Sequence, residues 1–169
     1  MAHVTDSLSG FVPPAVNDVF IALGTTIKTA GSQQAFRAVD FDAVVALAQS
    51  ARAAGATRIG IVSAMGADAR STVFYNRVKG EMEEAVVQMG YEAVIFARPS
   101  LLKGDREALA QSTRPGEKAA LVAMTLFKPL IPANYRAIAA ADVANALVSA
   151  VDSGPTGNHV LLSGAMQPG

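Results

Sequence analysis

Tyr75 and Lys79 stand four residues apart in the segment Phe74-Tyr75-Asn76-Arg77-Val78-Lys79, a spacing that puts both on one face of a helix, one turn apart. An ammonium beside a phenol favours the phenolate and lowers a pKa that is about 10 when unperturbed. Tyr75 could then exchange a proton with a substrate hydroxyl or carbonyl near neutral pH, as a general acid/base should. Lys79 could also hydrogen-bond a ribose. Ser63 closes the apolar run Arg58-Ile59-Gly60-Ile61-Val62 just upstream, where its hydroxyl could hold the same substrate oxygen.

These three residues need elements to hold them, and hydrophobic periodicity supplies the elements. Asp18 to Leu23, stopped by Gly24, is a continuous apolar run of the kind found in strands covered on both faces. Arg58 to Ser63 is a second such run, Ala93 to Arg98, stopped by Pro99, a third, and Asn158 to Leu162 a weaker fourth. Between the first two lies Ser32 to Ala54, where Phe36, Val39, Ala43, Leu47 and Ala51 recur at helical spacing and Gly55 is a C-terminal stop. Between the second and third, Ser71 to Met89 carries Val73, Val78, Met82, Val86 and Met89 on a helical stripe ended by Gly90. Further helices are predicted at about 116–127 and 141–151, with a turn at 152–155.

Strand, crossover helix and strand in alternation predict an α/β fold: a doubly wound, mainly parallel sheet with helices on both faces and right-handed crossovers. Chemistry in such folds sits at the carboxyl ends of the strands. Those ends are Gly24-Thr25-Thr26, Ser63-Ala64-Met65-Gly66 and Arg98-Pro99-Ser100. With no internal repeat or low-complexity tract, residues 1–169 read as one domain in which 99–169 forms a small cover on the substrate side.

Composition narrows the classes further. The chain has 169 residues, 51% hydrophobic and 17% charged, with 14 Lys+Arg against 14 Asp+Glu. Disorder is excluded by that hydrophobicity. Balanced charge removes the basic footprint that nucleic-acid binding needs and any polybasic membrane anchor. Without cysteine there are no disulfides, thiolate zinc sites or cysteine nucleophiles, and His3 and His159 are the only imidazoles. The expected partner is a small-molecule substrate, with neither nucleic acid nor membrane. The N-terminus lacks the basic and apolar regions of a signal peptide, so a cytoplasmic location is expected. Ala119 to Leu126, the most apolar later stretch, falls far short of the roughly 20 residues that span a bilayer.

Five blocks occur in one order: Leu23 to Ser32, Val39-Asp40-Phe41-Asp42, Val62 to Asp68, Phe74 to Glu83, and Arg98 to Leu102. Together they resemble the atypical short-chain dehydrogenase/reductases of the Tat-interacting-protein type, and closely resemble their bacterial NAD(P)-binding relatives, over about Asp18 to Val151. The resemblance implies a Rossmann fold binding NADP or NAD, and an oxidoreductase acting on a small carbonyl or alcohol. Carried over, Tyr75 is the acid/base, Lys79 its pKa modulator and ribose ligand, and Ser63 the oxyanion partner. Gly24, Thr25 and Thr26 pass close to the cofactor, and Arg98, Pro99 and Ser100 border its nicotinamide end.

The glycine-rich turn that grips a dinucleotide's pyrophosphate in this fold is missing. No glycine pair ahead of Asp18 has that spacing, and Gly10 is followed by Phe11-Val12-Pro13-Pro14. Against the family pattern, His3-Val4-Thr5-Asp6 matches the end of the third strand region, so the first β-α-β unit is expected to be absent. Val19 to Leu23 then becomes an exposed apolar edge, which self-association would cover. The missing turn leaves a second reading open: a non-catalytic nucleotide-sensing or protein-interaction module on the same scaffold.

Overall fold

The structure, a computed structural model, describes residues 13–103 and 132–167. Its centre is a four-stranded sheet made of β1 (Asp18–Ile21), β2 (Arg58–Val62), β3 (Ala93–Arg98) and the C-terminal strand Gly157–Leu162. All neighbours are parallel, in that order: Asp18 pairs with Arg58, Arg58 with Ala93, and Ala93 with Gly157. Parallel pairing needs crossovers, and helices supply them.

The first crossover begins with a single turn, α1 (Ile27–Ala30), capped by the Thr26 hydroxyl and ended by Gly31 at φ 84°. It continues through α2 (Gln33–Arg37), a π-helical turn at Ala38–Ala43, and α3 (Val44–Ala53). The helix read over Ser32 to Ala54 is therefore present but interrupted by the wider turn. Ser32 accepts from the Ala35 amide as its N-cap, and Gly55, at φ 106°, stops it. The second crossover is α4 (Phe74–Val87). Ser71 to Val73 stay outside this helix, because the Ser71 hydroxyl accepts from the Val73 amide in a local turn.

After β3 a two-stranded sheet pairs β4 (Leu102–Lys103) with β5 (Ile138–Ala139), reached through a 3-10 turn at Ala133–Tyr135. Then follow α5 (Ala140–Ser153), β6 (Gly157–Leu162) and the single turn α6 (Ser163–Met166). Asp152 and Ser153, expected in a turn, close α5, where the Ser153 hydroxyl donates to the Ser149 carbonyl. The predicted helix at about 116–127, with Ala119 to Leu126 in it, and the segment His3 to Asp6 lie outside the described residues.

The core is split by the sheet. On one face Val44, Ala48 and Ala51 of α3 and Met82 and Val86 of α4 pack against Ile21, Ile59, Ile61, Val94 and Phe96. On the other, Val143, Leu147 and Val151 of α5 pack against Ile95 and Ala97. Gly60 makes the second contact possible, because a Cβ there would stand 2.9 Å from Val151 and 3.0 Å from Leu147. The expected α/β class with helices on both faces is what the structure shows. Among the described residues β1 has one neighbour only and forms a margin of the sheet, with Phe20 45% exposed.

Candidate functional site

Tyr75 and Lys79 lie on α4, whose N-terminal turn faces the π turn of the first crossover. The Tyr75 ring packs against buried Phe36 with centroids 5.3 Å apart, and Phe36 meets Phe74 edge-on at 6.0 Å. One turn on, Lys79 is only 4% exposed. Its Nζ lies 2.7 Å from Oδ1 of Asp40, itself fully buried. The other carboxylate oxygen, Oδ2, accepts from the Thr25 amide at 2.9 Å. Gly24 completes the arrangement, since a Cβ there would sit 3.3 Å from Asp40 Oδ1 and 3.6 Å from Lys79 Nζ. A buried ion pair, a strand-exit amide and bare glycine backbone thus form one unit at the carboxyl end of β1.

Asp40 was assigned no role by sequence reasoning, although it sits four residues after Phe36 on an apolar stripe. That carboxylate among apolar neighbours is the signal that could have found it. The stripe names Val39 as the inward residue, whereas the π turn over Ala38–Ala43 adds a residue to the helical repeat and turns Asp40 inward instead. Val39 is left only partly buried.

The electrostatics correct one expectation. The Tyr75 phenol is pushed up, first by its burial and then by the negative charge of Asp40. Lys79 was expected to lower it, but its ammonium is committed to the Asp40 carboxylate. The shift therefore runs opposite to the expected one.

Ser63 follows β2 and is 6% exposed. Its amide donates to the Ala97 carbonyl at 2.7 Å, continuing the ladder to β3. Its Oγ is buried and has no hydrogen-bond partner among the described residues, which is uncommon for a buried hydroxyl.

The remaining predicted residues are engaged in the framework. Thr26 Oγ1 accepts from the Thr29 amide at 3.0 Å, so the side chain caps α1. Arg98, expected at a nicotinamide border, forks onto Glu83 of α4, with Nε 3.0 Å from Oε1 and Nη2 2.6 Å from Oε2. Pro99 offers its carbonyl to the Met65 amide at 3.2 Å. The Ser100 amide donates to buried Ser163 Oγ at 2.7 Å, and Ser100 Oγ donates to the Arg136 carbonyl at 2.7 Å. These bonds tie the β3 exit to β5 and α6, and the structure does not join them to the Asp40–Lys79 unit.

No family model matches the chain. Among curated proteins it is 40% identical over 114 residues to the protein fmp52, mitochondrial, of Emericella nidulans, covering 67% of this chain and 46% of that one. It is 36% identical over 135 residues to the protein FMP52, mitochondrial, of Meyerozyma guilliermondii, covering 78% and 58%. The chain spans about half the length of the curated relatives it matches. Among solved structures it resembles RMD from Pseudomonas aeruginosa complexed with NADPH, with a TM-score of 0.64 at 18% identity, covering 95% of this chain and 64% of that one. It also resembles a short-chain dehydrogenase/reductase superfamily protein from Agrobacterium tumefaciens with bound NAD, with a TM-score of 0.63 at 15% identity over 94% and 62%.

The fold is accordingly Rossmann-like, as in these two structures solved with NADPH and NAD. The named relatives are fungal and mitochondrial. That overturns the cytoplasmic expectation, which rested on the lack of a signal peptide alone. The curated relatives carry the name FMP52, and neither a Tat-interacting-protein name nor a bacterial source is among them.

Proposed function

We propose that this chain is the proton-transfer part of an NAD(P)-dependent oxidoreductase of the short-chain dehydrogenase/reductase type, acting on a small carbonyl or alcohol. The observation that carries the reading is Tyr75 one helical turn from a buried Lys79 that is paired with Asp40, at the strand end where this fold does its chemistry. The residues suit the sugar and nicotinamide end of a dinucleotide. Lys79 has three N–H donors and one close carboxylate oxygen. Gly24 leaves the backbone above the pair bare, and Ser63 keeps a buried hydroxyl unspent. Lys79, with Gly24 and Thr25 beside it, would hold the nicotinamide ribose. When bound, the reduced nicotinamide, NADPH or NADH, would supply the hydride for reduction, and its oxidised form would accept one for oxidation. Ser63 holds the substrate oxygen by its hydroxyl, and Tyr75 gives that oxygen its proton on reduction or takes it back on oxidation. Arg98, Pro99 and Ser100 would border the nicotinamide end, with Arg98 held by Glu83 of α4 and Ser100 by Ser163.

Two measurements test the reading. NADPH and NADH are titrated against the protein by fluorescence, and turnover is followed with a panel of small aldehydes and ketones. Tyr75→Phe is expected to lower turnover by about 10²-fold or more, the scale of general acid catalysis, with nucleotide binding kept. Full turnover by Tyr75→Phe would refute the assignment. The second reading, a non-catalytic nucleotide-sensing or interaction module, is separated from the first by the same two measurements. Saturable NADPH binding without hydride transfer to any of the panel would favour it.

A further inference from the structure

Ser163 opens α6, the last element described, and is fully buried at a position where an apolar side chain would be ordinary. Its hydroxyl serves a single residue. It accepts from the Ser100 amide at 2.7 Å and donates to Ser100 Oγ at 3.1 Å, and Ser100 Oγ in turn donates to the Arg136 carbonyl at 2.7 Å. The sheet explains why a partner is needed. The β3–β6 ladder ends with Arg98 opposite Leu162, and one residue later the backbone of β6 has turned into α6. The Ser100 amide has no strand left to bond, and an N–H shielded from water needs another acceptor.

An acceptor alone would satisfy that amide. The second bond, from the same hydroxyl to the side chain of the same residue, holds Ser100 by backbone and side chain together. The two residues before it are also fixed. Pro99 has a ring-locked φ and gives its carbonyl to the Met65 amide at 3.2 Å, in the loop that carries Ser63, and Arg98 is forked onto Glu83. α6 is a single turn, too short to stand by itself. It is pinned by the Gly164 amide, which donates to Asn134 Oδ1 at 3.1 Å, and by buried Met166 in the core shared with α5.

We propose that Ser163 is a positioning residue for the nicotinamide end of the site: from the C-terminal turn, through Ser100, it sets where the Arg98–Pro99–Ser100 exit of β3 stands. Ser163 itself touches no ligand. It acts by removing freedom from the exit, so that the border meets a nucleotide already in place. The inference rests on the oxidoreductase reading, in which this exit borders the nicotinamide.

The test measures nucleotide affinity of the folded chain beside its stability. NADPH and NADH are titrated by nicotinamide fluorescence against the wild type and Ser163→Ala, and urea unfolding midpoints are taken for each. Ser163→Ala is expected to weaken binding by about tenfold, the scale of a hydrogen bond whose partner stays behind. Val151→Ala is the control for mere loosening. It opens a cavity in the same core cluster at the other end of the strands, where the Val151 carbonyl meets Arg58, and is expected to lower the unfolding midpoint while keeping wild-type affinity. Should Ser163→Ala not fold, Ser100→Ala removes the side-chain bonds and keeps the amide on Ser163, with an expected weakening of about threefold. A folded Ser163→Ala that binds as the wild type does overturns the inference. So does an equal loss of affinity in Val151→Ala, or loss of the fold in Ser163→Ala and Ser100→Ala alike, and each of these leaves the oxidoreductase reading in place. A wild type that binds neither NADPH nor NADH removes that reading for this chain, and the inference with it.

Discussion

At the scale of single residues, the molecule is governed by where its few buried polar groups find partners. Lys79→Met strands the Asp40 carboxylate in the core, and removing one member of such a pair costs about 3–5 kcal/mol. Lys79→Met/Asp40→Leu is expected to recover most of that loss, and urea unfolding midpoints of the two variants check it. Tyr91 is a second case. Its hydroxyl donates to the Ala48 carbonyl at 2.6 Å, and burial pushes its phenol up to about 12. The unfolded chain ionises near 10, so the neutral phenol favours the fold. Its contribution is complete below about pH 10 and is lost as pH rises from there toward about 12. Tyr91→Phe is expected to flatten that alkaline loss and to cost about 1 kcal/mol at neutral pH, as melting curves across the alkaline range would show. The spacing of Tyr75 and Lys79 was legible because one helix carries both. The direction in which the phenol moves was not, because it is set first by tertiary burial and then by the charge of Asp40, in another element and far along the chain.

At the scale of elements, the long ones announced themselves and the short ones did not. Continuous apolar runs locate β2 and β3 because strands covered on both faces cannot alternate, and β1 is located by a run of the same kind although Phe20 in it is exposed. β4 and β5, with two residues each, have no period to detect, and α1 is a single turn held by its Thr26 cap. The helix at Ser32 to Ala54 was legible as a helix, but the π turn within it depends on Asp40 finding Lys79, a tertiary event. Close approach decides two further positions. Gly80 lets α4 lie against the loop after β2, since a Cβ there would fall 2.1 Å from the Ala69 nitrogen and 2.3 Å from the Asp68 carbonyl carbon. Gly80→Ala must push backbone apart and is expected to cost about 1–3 kcal/mol, the range for overpacked sites, with a matching drop in melting temperature. Arg58 fastens β2 to the end of α5, with Nη2 2.7 Å from the Gly154 carbonyl and Nε bonded to the Val151 carbonyl. A cation there also complements the helix C-terminus.

At the scale of the whole molecule, the described chain is a three-layer sandwich whose sheet ends, among the described residues, on β1. Phe20 and Val16 are exposed at that margin, and Val148 of α5 is 50% exposed. Such margins invite other strands. Phe20→Lys is therefore expected to weaken any concentration-dependent association, and sedimentation across a dilution series would show an unchanged profile if the margin is not used. The sheet order carries another consequence. Asp18 finds Arg58, Arg58 finds Ala93, and Ala93 finds Gly157, so not one pairing in the main sheet is a hairpin. Each strand waits for a distant stretch of chain to close before any contact rewards it. Refolding should therefore proceed in milliseconds to seconds, the tempo of non-local topologies, and stopped-flow mixing would reveal whether it does. Until β2 and β3 have met, their apolar runs lie open to neighbouring molecules. Yield on refolding should accordingly fall as protein concentration rises, whatever the stability of the finished fold.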